Sequence, residues 1–145
     1  MVVKTYRGLL ADGGQDKIPL ATKDGSVGYR IIKFQLFPTE PGQANAESTV
    51  KIFKTEQSSI NNTVNFTDSD LLAAAYYQDA LGHDFPSSLD VIFEREIFNQ
   101  DIFVTHQDTV GSDACNYYLE LEQMKLDQTQ NMSATLKAIR GSAVD

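Results

Sequence analysis

Glu120 and Glu122 stand two residues apart in CNYYLELEQMKLD, as Glu94 and Glu96 do in SLDVIFEREIF. In a strand, residues two apart share a face and lie about 6.5 to 7 Å from each other, a separation that also occurs between glycosidase carboxyl groups. Acid and base work needs more than spacing, because an apolar pocket must drive the two pKa values apart. Neither stretch supplies such a pocket, and alternating glutamates are what the wet face of an amphipathic strand carries. Both pairs are therefore expected as solvated charges.

Metal chemistry has little more to work with. His83 in LGHDF and His106 at the end of DIFVTH are far apart and form neither an H-x-H nor an H-E-x-x-H spacing. His83 reads as a solvent-facing loop residue and His106 as a residue hydrogen-bonded at a strand end. Cys115 is the single cysteine, so it forms no internal disulfide and reads as a small buried hydrophobe rather than a nucleophile. There is no G-x-S-x-G elbow, and the glycines of ADGGQDK and KDGSVGYR lack the spacing of a phosphate loop or a dinucleotide fingerprint. Asn61, Asn65 and Asn131 begin N-x-S/T tripeptides, taken as chance matches because no secretory signal accompanies them. The expectation is a non-enzyme with no catalytic residue, no cofactor and no metal.

Aromatic side chains are the remaining functional material. Adjacent tyrosines in a strand point to opposite faces, so Tyr117 joins Leu119 and Leu121 in a core stripe while Tyr118 faces outwards with Glu120 and Glu122. Tyr118, with Tyr76 and Tyr77, is a candidate interface anchor, since tyrosine is enriched in binding hot spots. Phe53 is the fourth candidate. In STVKIFKTEQ, Val50 and Ile52 face one way and Lys51 and Phe53 the other, so the strand is either covered on both sides or lies at a subunit contact.

The elements that would position these residues follow from turn signals and periodicity. Residues 1–28, with Gly13-Gly14, Pro19 and Asp24-Gly25, read as an N-terminal arm with one short strand near residues 17–21. Residues 29–145 read as a single β-sandwich domain. Its first strand, YRIIKFQLF, sets Ile32, Phe34 and Leu36 against Lys33 and Gln35 and ends at Pro38, with a turn at Pro41-Gly42. SSINNTVNF continues the β pattern, with a turn at Asn61-Asn62.

TDSDLLAAAYYQD leans to a short helix, because Thr67, Asp68 and Ser69 offer N-caps and the alanines favour helix. A loop through Gly82 and Pro86 leads to SLDVIFEREIF, a half-buried strand with Leu89, Val91, Phe93 and Ile97 inward. DIFVTH and CNYYLELEQMKLD are strands, and Leu136 and Ile139 in the tail fit a closing helix or a last strand. Several short strands without alternating long helices make an all-β, antiparallel β-sandwich, jelly-roll-like, with one or two short helices.

Composition sets the outer bounds. A chain of 145 residues buries about two-thirds of its unfolded surface, enough for one core. The net charge of −8 with scattered Lys and Arg disfavours nucleic acid, and no apolar run approaches the ~20 residues of a membrane helix. The start, MVVKTYRGLLADGG, does not read as a secretory signal, so synthesis and use in a cytoplasm are expected.

The ordered phrases YRGLL, GYRIIKFQ, VNFTDSDLLAAAYY, EIFNQDIFVTH, CNYYLELEQMKLD and ATLKAIR, which together span most of the chain, resemble small virion structural proteins of marine tailed bacteriophages, including cyanophages. The resemblance implies a non-enzymatic role in the virion, as a capsid decoration or cement subunit or a small tail or neck component assembled in the host cytoplasm. Its implied partners are copies of itself, for which a trimer suits a jelly roll, and other virion proteins. It carries over no site residue. The alternative reading is a carbohydrate-binding jelly-roll module for host attachment, in which the surplus Tyr and Asn contact sugars.

Overall fold

The computed structural model describes residues 1–41, 46–79 and 87–144. The expectations for the Pro41-Gly42 turn, for the loop with Gly82 and Pro86, for His83 and for the Ile139 side chain fall outside the described residues.

Among the described residues, eight strands and one helix follow in order: β1 Val2–Leu10, β2 Gln15–Ile18, β3 Val27–Pro38, β4 Ala46–Phe53, β5 Leu71–Asp79, β6 Ser87–Ile92, β7 Ile102–Asp108, β8 Cys115–Lys125 and α1 Gln128–Val144. They form a three-stranded sheet in the order β1-β8-β3 and a five-stranded sheet in the order β2-β7-β4-β5-β6, with every pairing antiparallel. This is an all-β sandwich. β1 pairs with β8, β2 with β7 and β4 with β5, so the chain is folded back on itself and rolled, as a jelly roll is. The nested pair that would complete the roll, β3 with β6, does not form; β6 stays hydrogen-bonded to β5 and passes beside β3.

The core lies between the sheets. β8 contributes Tyr117, Leu119 and Leu121, the stripe expected from its alternation, and all three are buried. β3 contributes Ile31 and Phe34, which are three apart. A bulge at Ile32 explains this: the register to β8 shifts between Ile31 and Lys33, so the alternation restarts and Ile32, expected inward, is only half-buried. Facing them are Val50 and Ile52 of β4, Ala73 and Ala75 of β5, and Ile102 and Val104 of β7.

Three further expectations are corrected. The short helix expected over 68–78 is instead, from Leu71 on, the strand β5, hydrogen-bonded to β4 on one side and β6 on the other. Of its N-cap candidates, Asp68 caps a turn instead, its Oδ1 accepting from the Asp70 N–H, and the Thr67 N–H donates to Asn65 Oδ1. Two-sided sheet pairing overrides the intrinsic preference of the alanines. The arm over 1–28 contains two strands, and β1 pairs with β8 over nine residues without a register shift. Last, SLDVIFEREIF is a strand only to Ile92; Phe93–Glu96 is a turn closed by the Glu96 N–H on the Phe93 carbonyl, and Leu89 and Val91 face outwards.

The segment 54–70 has no strand, contrary to the β pattern expected for SSINNTVNF. It covers the outer face of β4. Lys51 Nζ donates to Asn61 Oδ1 and to the Thr63 carbonyl, at 3.1 and 2.6 Å, and the amine lies 5.3 Å from the Phe53 ring centre. β4 is thus covered on both sides by its own chain. The tail is the helix α1, started by a reciprocal cap in which the Gln130 N–H donates to Asp127 Oδ1 and the Asp127 N–H to Gln130 Oε1. Asn99, fully buried, ties this helix to the 24–26 turn through Asn131, Thr135 and the Gly25 carbonyl.

Candidate interaction surface

The outer face of the three-stranded sheet is set by its register. Leu9, Asn116 and Phe37 form one cross-strand row, Arg7, Tyr118 and Gln35 the next, then Thr5, Glu120 and Lys33, and last Val3, Glu122 and Arg30. Strands lie about 4.8 Å apart, so Leu9 and Phe37 flank Asn116 at about 9 to 10 Å from each other. Both are strongly exposed, Leu9 at 57% and Phe37 at 64%. No element among the described residues packs on this face.

The rows run from apolar to charged. Tyr118 donates from its hydroxyl to Glu120 at 2.6 Å, and this bond to a carboxylate, ahead of any burial, raises the tyrosine pKa. Arg30 donates from Nε and Nη2 to one oxygen of Glu122, at 2.7 and 2.6 Å. The Glu120 and Glu122 carboxylates are thus on the outward face, as expected, and each has a hydrogen-bonded partner. Glu94 and Glu96 do not lie in a strand at all, and Glu96 pairs with Lys54 at 3.2 Å.

Beside these rows, along the seam where β3 and β6 stay unpaired, lies a cleft of about 770 Å³ whose walls include Arg7, Gln35, Phe37, Tyr118, Tyr76 and Leu89. Tyr118 and Tyr76, two of the four aromatic candidates, therefore both border this cleft. Tyr76 turns its hydroxyl to Glu47 at 2.8 Å, and burial with the adjacent carboxylate pushes its pKa up to about 12. Tyr77 is half-buried on the opposite face of β5 and does not join them. Phe53 is 5% exposed beneath the 54–70 segment, so the fold removes it as a surface anchor.

The remaining reactive types have structural duties. His106 is fully buried; its Nδ1–H donates to the Ala11 carbonyl, which can only accept, and Nε2 lies 3.1 Å from Ser48 Oγ. It is hydrogen-bonded as expected, but it lies within β7, which continues to Asp108, rather than at a strand end. Burial pushes the Cys115 thiol up to about 11, in keeping with a small buried hydrophobe. Among the described residues no three His, Cys, Asp or Glu side chains gather where a metal could be held, and no helix is long and apolar enough to cross a membrane.

Arg7, Leu9 and Phe37 were not picked out from sequence. LL at residues 9–10 held a signal, since two adjacent apolar residues in a strand cannot both face one core. For Phe37 the bulge at Ile32 hid the phase. Of the side chains on this surface, tyrosine and arginine are types enriched in binding hot spots.

No protein-family model matches this chain, and no curated protein matches it in sequence. A solved structure, the crystal structure of the Yersinia pseudotuberculosis-derived mitogen, is similar over 88% of this chain and 87% of that one, with 14% identity and a TM-score of 0.32.

Proposed function

We propose that this protein is a non-enzymatic structural component of a phage particle, acting through contacts with its own copies or with other virion proteins. The observation that carries the reading is the uncovered sheet face on which Leu9 and Phe37, each more than half exposed, flank Asn116 next to Tyr118 and Arg7. An apolar and aromatic cluster rimmed by the Arg30–Glu122 pair has the anatomy of a contact surface, with an apolar centre and a charged rim. The resemblance of the ordered phrases to virion proteins of marine phages supports this setting. Capsid decoration and tail or neck positions are both consistent with it, and assembly would take place in the host cytoplasm.

Mass spectrometry of purified particles, compared with the unassembled fraction of the same lysate, tests the proposal. The chain should co-purify with particles at stoichiometric level, and Phe37→Ser with Leu9→Ser should lower its occupancy without unfolding it. Absence from particles would remove the reading.

A second reading, a carbohydrate-binding module, is favoured by the cleft alone, where Tyr118 and Phe37 stand near the amides of Gln35 and Asn116. Titration with host polysaccharide, monitored by tyrosine fluorescence in the parent and in Tyr118→Ala, decides it. Saturable binding that the substitution abolishes supports this reading, and an unchanged spectrum counts against it.

A further inference from the structure

We infer that β1 is a docking edge for β1 of a second copy, joined antiparallel about a two-fold axis centred on Tyr6. The inference deepens the assembly reading above and rests on it for its biological setting, though not for its chemistry.

β1 is an edge strand: β8 pairs with it on one side, and no strand among the described residues pairs with it on the other. Along its nine residues it has no proline, no acidic side chain and no bulge. Such an edge presents a row of unpaired N–H and C=O groups, which folded proteins ordinarily blunt, and here the charges of Lys4 and Arg7 are the one such guard on β1.

The identity of the occupant follows from the strand's own pattern. VVKTYRGLL has an apolar pair at each end and Tyr6 in the middle, with its two basic residues at Lys4 and, next to the centre, Arg7. In an antiparallel self-pairing, directly opposed residues must share a face, and the register that uses the whole strand sets Tyr6 opposite Tyr6. Val3 then meets Leu9 of the other copy, Val2 meets Leu10, Lys4 meets Gly8, and Thr5 meets Arg7. Val2 and Val3, 56% and 42% exposed, and Leu9 are thereby covered reciprocally in one step. Gly8 has no side chain to obstruct the Lys4 stem.

Charge in this register has two sides, since Arg7 lies diagonally across the axis from Arg7 of the other copy while the acidity of the rest of the chain is missing from this strand. The chain is acidic overall, so most contacts between copies are repulsive, but its first eleven residues hold Lys4 and Arg7 and no carboxylate side chain. Arg7 would face Thr5 of the other copy, and Thr5 is directly followed across its own sheet by Glu120. The guanidinium of one copy thus reaches towards the Glu120 carboxylate of the other, two strand spacings or about 9 to 10 Å away between backbones. Joined this way, two three-stranded sheets become one continuous sheet of six, and the two outer faces with Leu9, Phe37 and Tyr118 become one broader surface. The contact is isologous, as a two-fold dimer requires.

Sedimentation equilibrium over a range of protein concentrations, with one register-specific cross-link, tests the inference. The full chain should show a monomer–dimer equilibrium, and the double variant Val3→Lys with Leu9→Lys should weaken it by about tenfold or more, because lysine then opposes lysine on both sides of the axis. Under mild oxidation Thr5→Cys with Arg7→Cys should give a covalent dimer, whereas Thr5→Cys alone, placed diagonally to its own copy, should cross-link far more slowly. A monomer at all concentrations would overturn the pairing, and so would a dimer that is indifferent to the lysines and lacks the 5-to-7 cross-link. A monomer that nevertheless enters particles overturns only the edge pairing; a cross-linked dimer absent from particles overturns only the assembly reading.

Discussion

Gly8 lies directly opposite Tyr117, and a Cβ at Gly8 would come within 2.7 Å of the Tyr117 ring. The ring fills the space that the glycine leaves on β1, and its hydroxyl then reaches Asp16 on β2 at 3.0 Å, linking the two sheets. Gly8→Ala should therefore destabilise the fold by about 1 to 3 kcal/mol through overpacking. Tyr117→Phe, which keeps the ring and loses the bond to Asp16, should cost about 1 kcal/mol. Urea denaturation of both variants measures the difference.

Asp108 gathers the start of β4 and the turn before β8. Its Oδ1 accepts from the N–H groups of Glu47, Val110 and Gly111 and its Oδ2 from that of Asp113, at 3.0 to 3.1 Å. Burial by itself would raise its pKa, but these four donors together hold it below the ordinary carboxylate value; for Asp101 the Leu20 and Ala21 N–H groups and Lys17 do the same. Groups with a lowered folded pKa bind protons more readily in the unfolded chain. The stability they contribute is therefore fully present above the unfolded carboxyl value of about 3.9 and is lost as pH falls through the folded values. Asp108→Ala should lose about 1 to 3 kcal/mol at neutral pH, since it removes an acceptor shared by four part-buried N–H groups. In Asp108→Asn the fall in stability below about pH 4 should be shallower, as read from denaturation midpoints across pH.

Cys115 should be inert in the native state. Burial raises its pKa from 9.0 to about 11, which alone lowers the thiolate fraction about a hundredfold at mildly alkaline pH. Labelling with a thiol reagent should accordingly be slower than in denaturant by a hundredfold or more, and comparable rates would show that β8 opens locally.

The 54–70 segment should be released by Lys51→Ala. Lys51 bonds to Asn61 and Thr63, and burial lowers its amine pKa, a sign that the group has left bulk water to make those contacts. Without it, limited proteolysis within 54–70 should accelerate about fivefold or more while the sheets remain folded, in line with an opening free energy reduced by about 1 to 2 kcal/mol. Phe53 would then become exposed, and increased binding of a hydrophobic dye would report it.

The strands legible in the sequence are those with one wet face and one dry one. β8 and its Tyr117–Leu119–Leu121 stripe follow from alternation alone, and so do the positions of β3 and β7. β5 was not legible because Leu71 to Ala75 is buried throughout, which erases the period, and its alanines are small for reasons of packing against β3. β1 was hidden by its own exposure, since an edge strand lacks a fully apolar face. The outward position of Tyr118 was readable. Its neighbours Arg7 and Phe37 were not, because they arrive from two distant strands through registers that only pairing with β8 determines.

Hydroxyl-radical footprinting of Tyr118 and Phe37, in the free protein and in purified particles, tests the contact role of the outer sheet face most directly. Both rings should be oxidised readily in the free chain and protected about tenfold or more in the particle, while Phe66, which is exposed on the other sheet's side at residues 54–70, keeps its rate. Equal oxidation of Tyr118 and Phe37 in both samples, or a particle that lacks the chain, would contradict it.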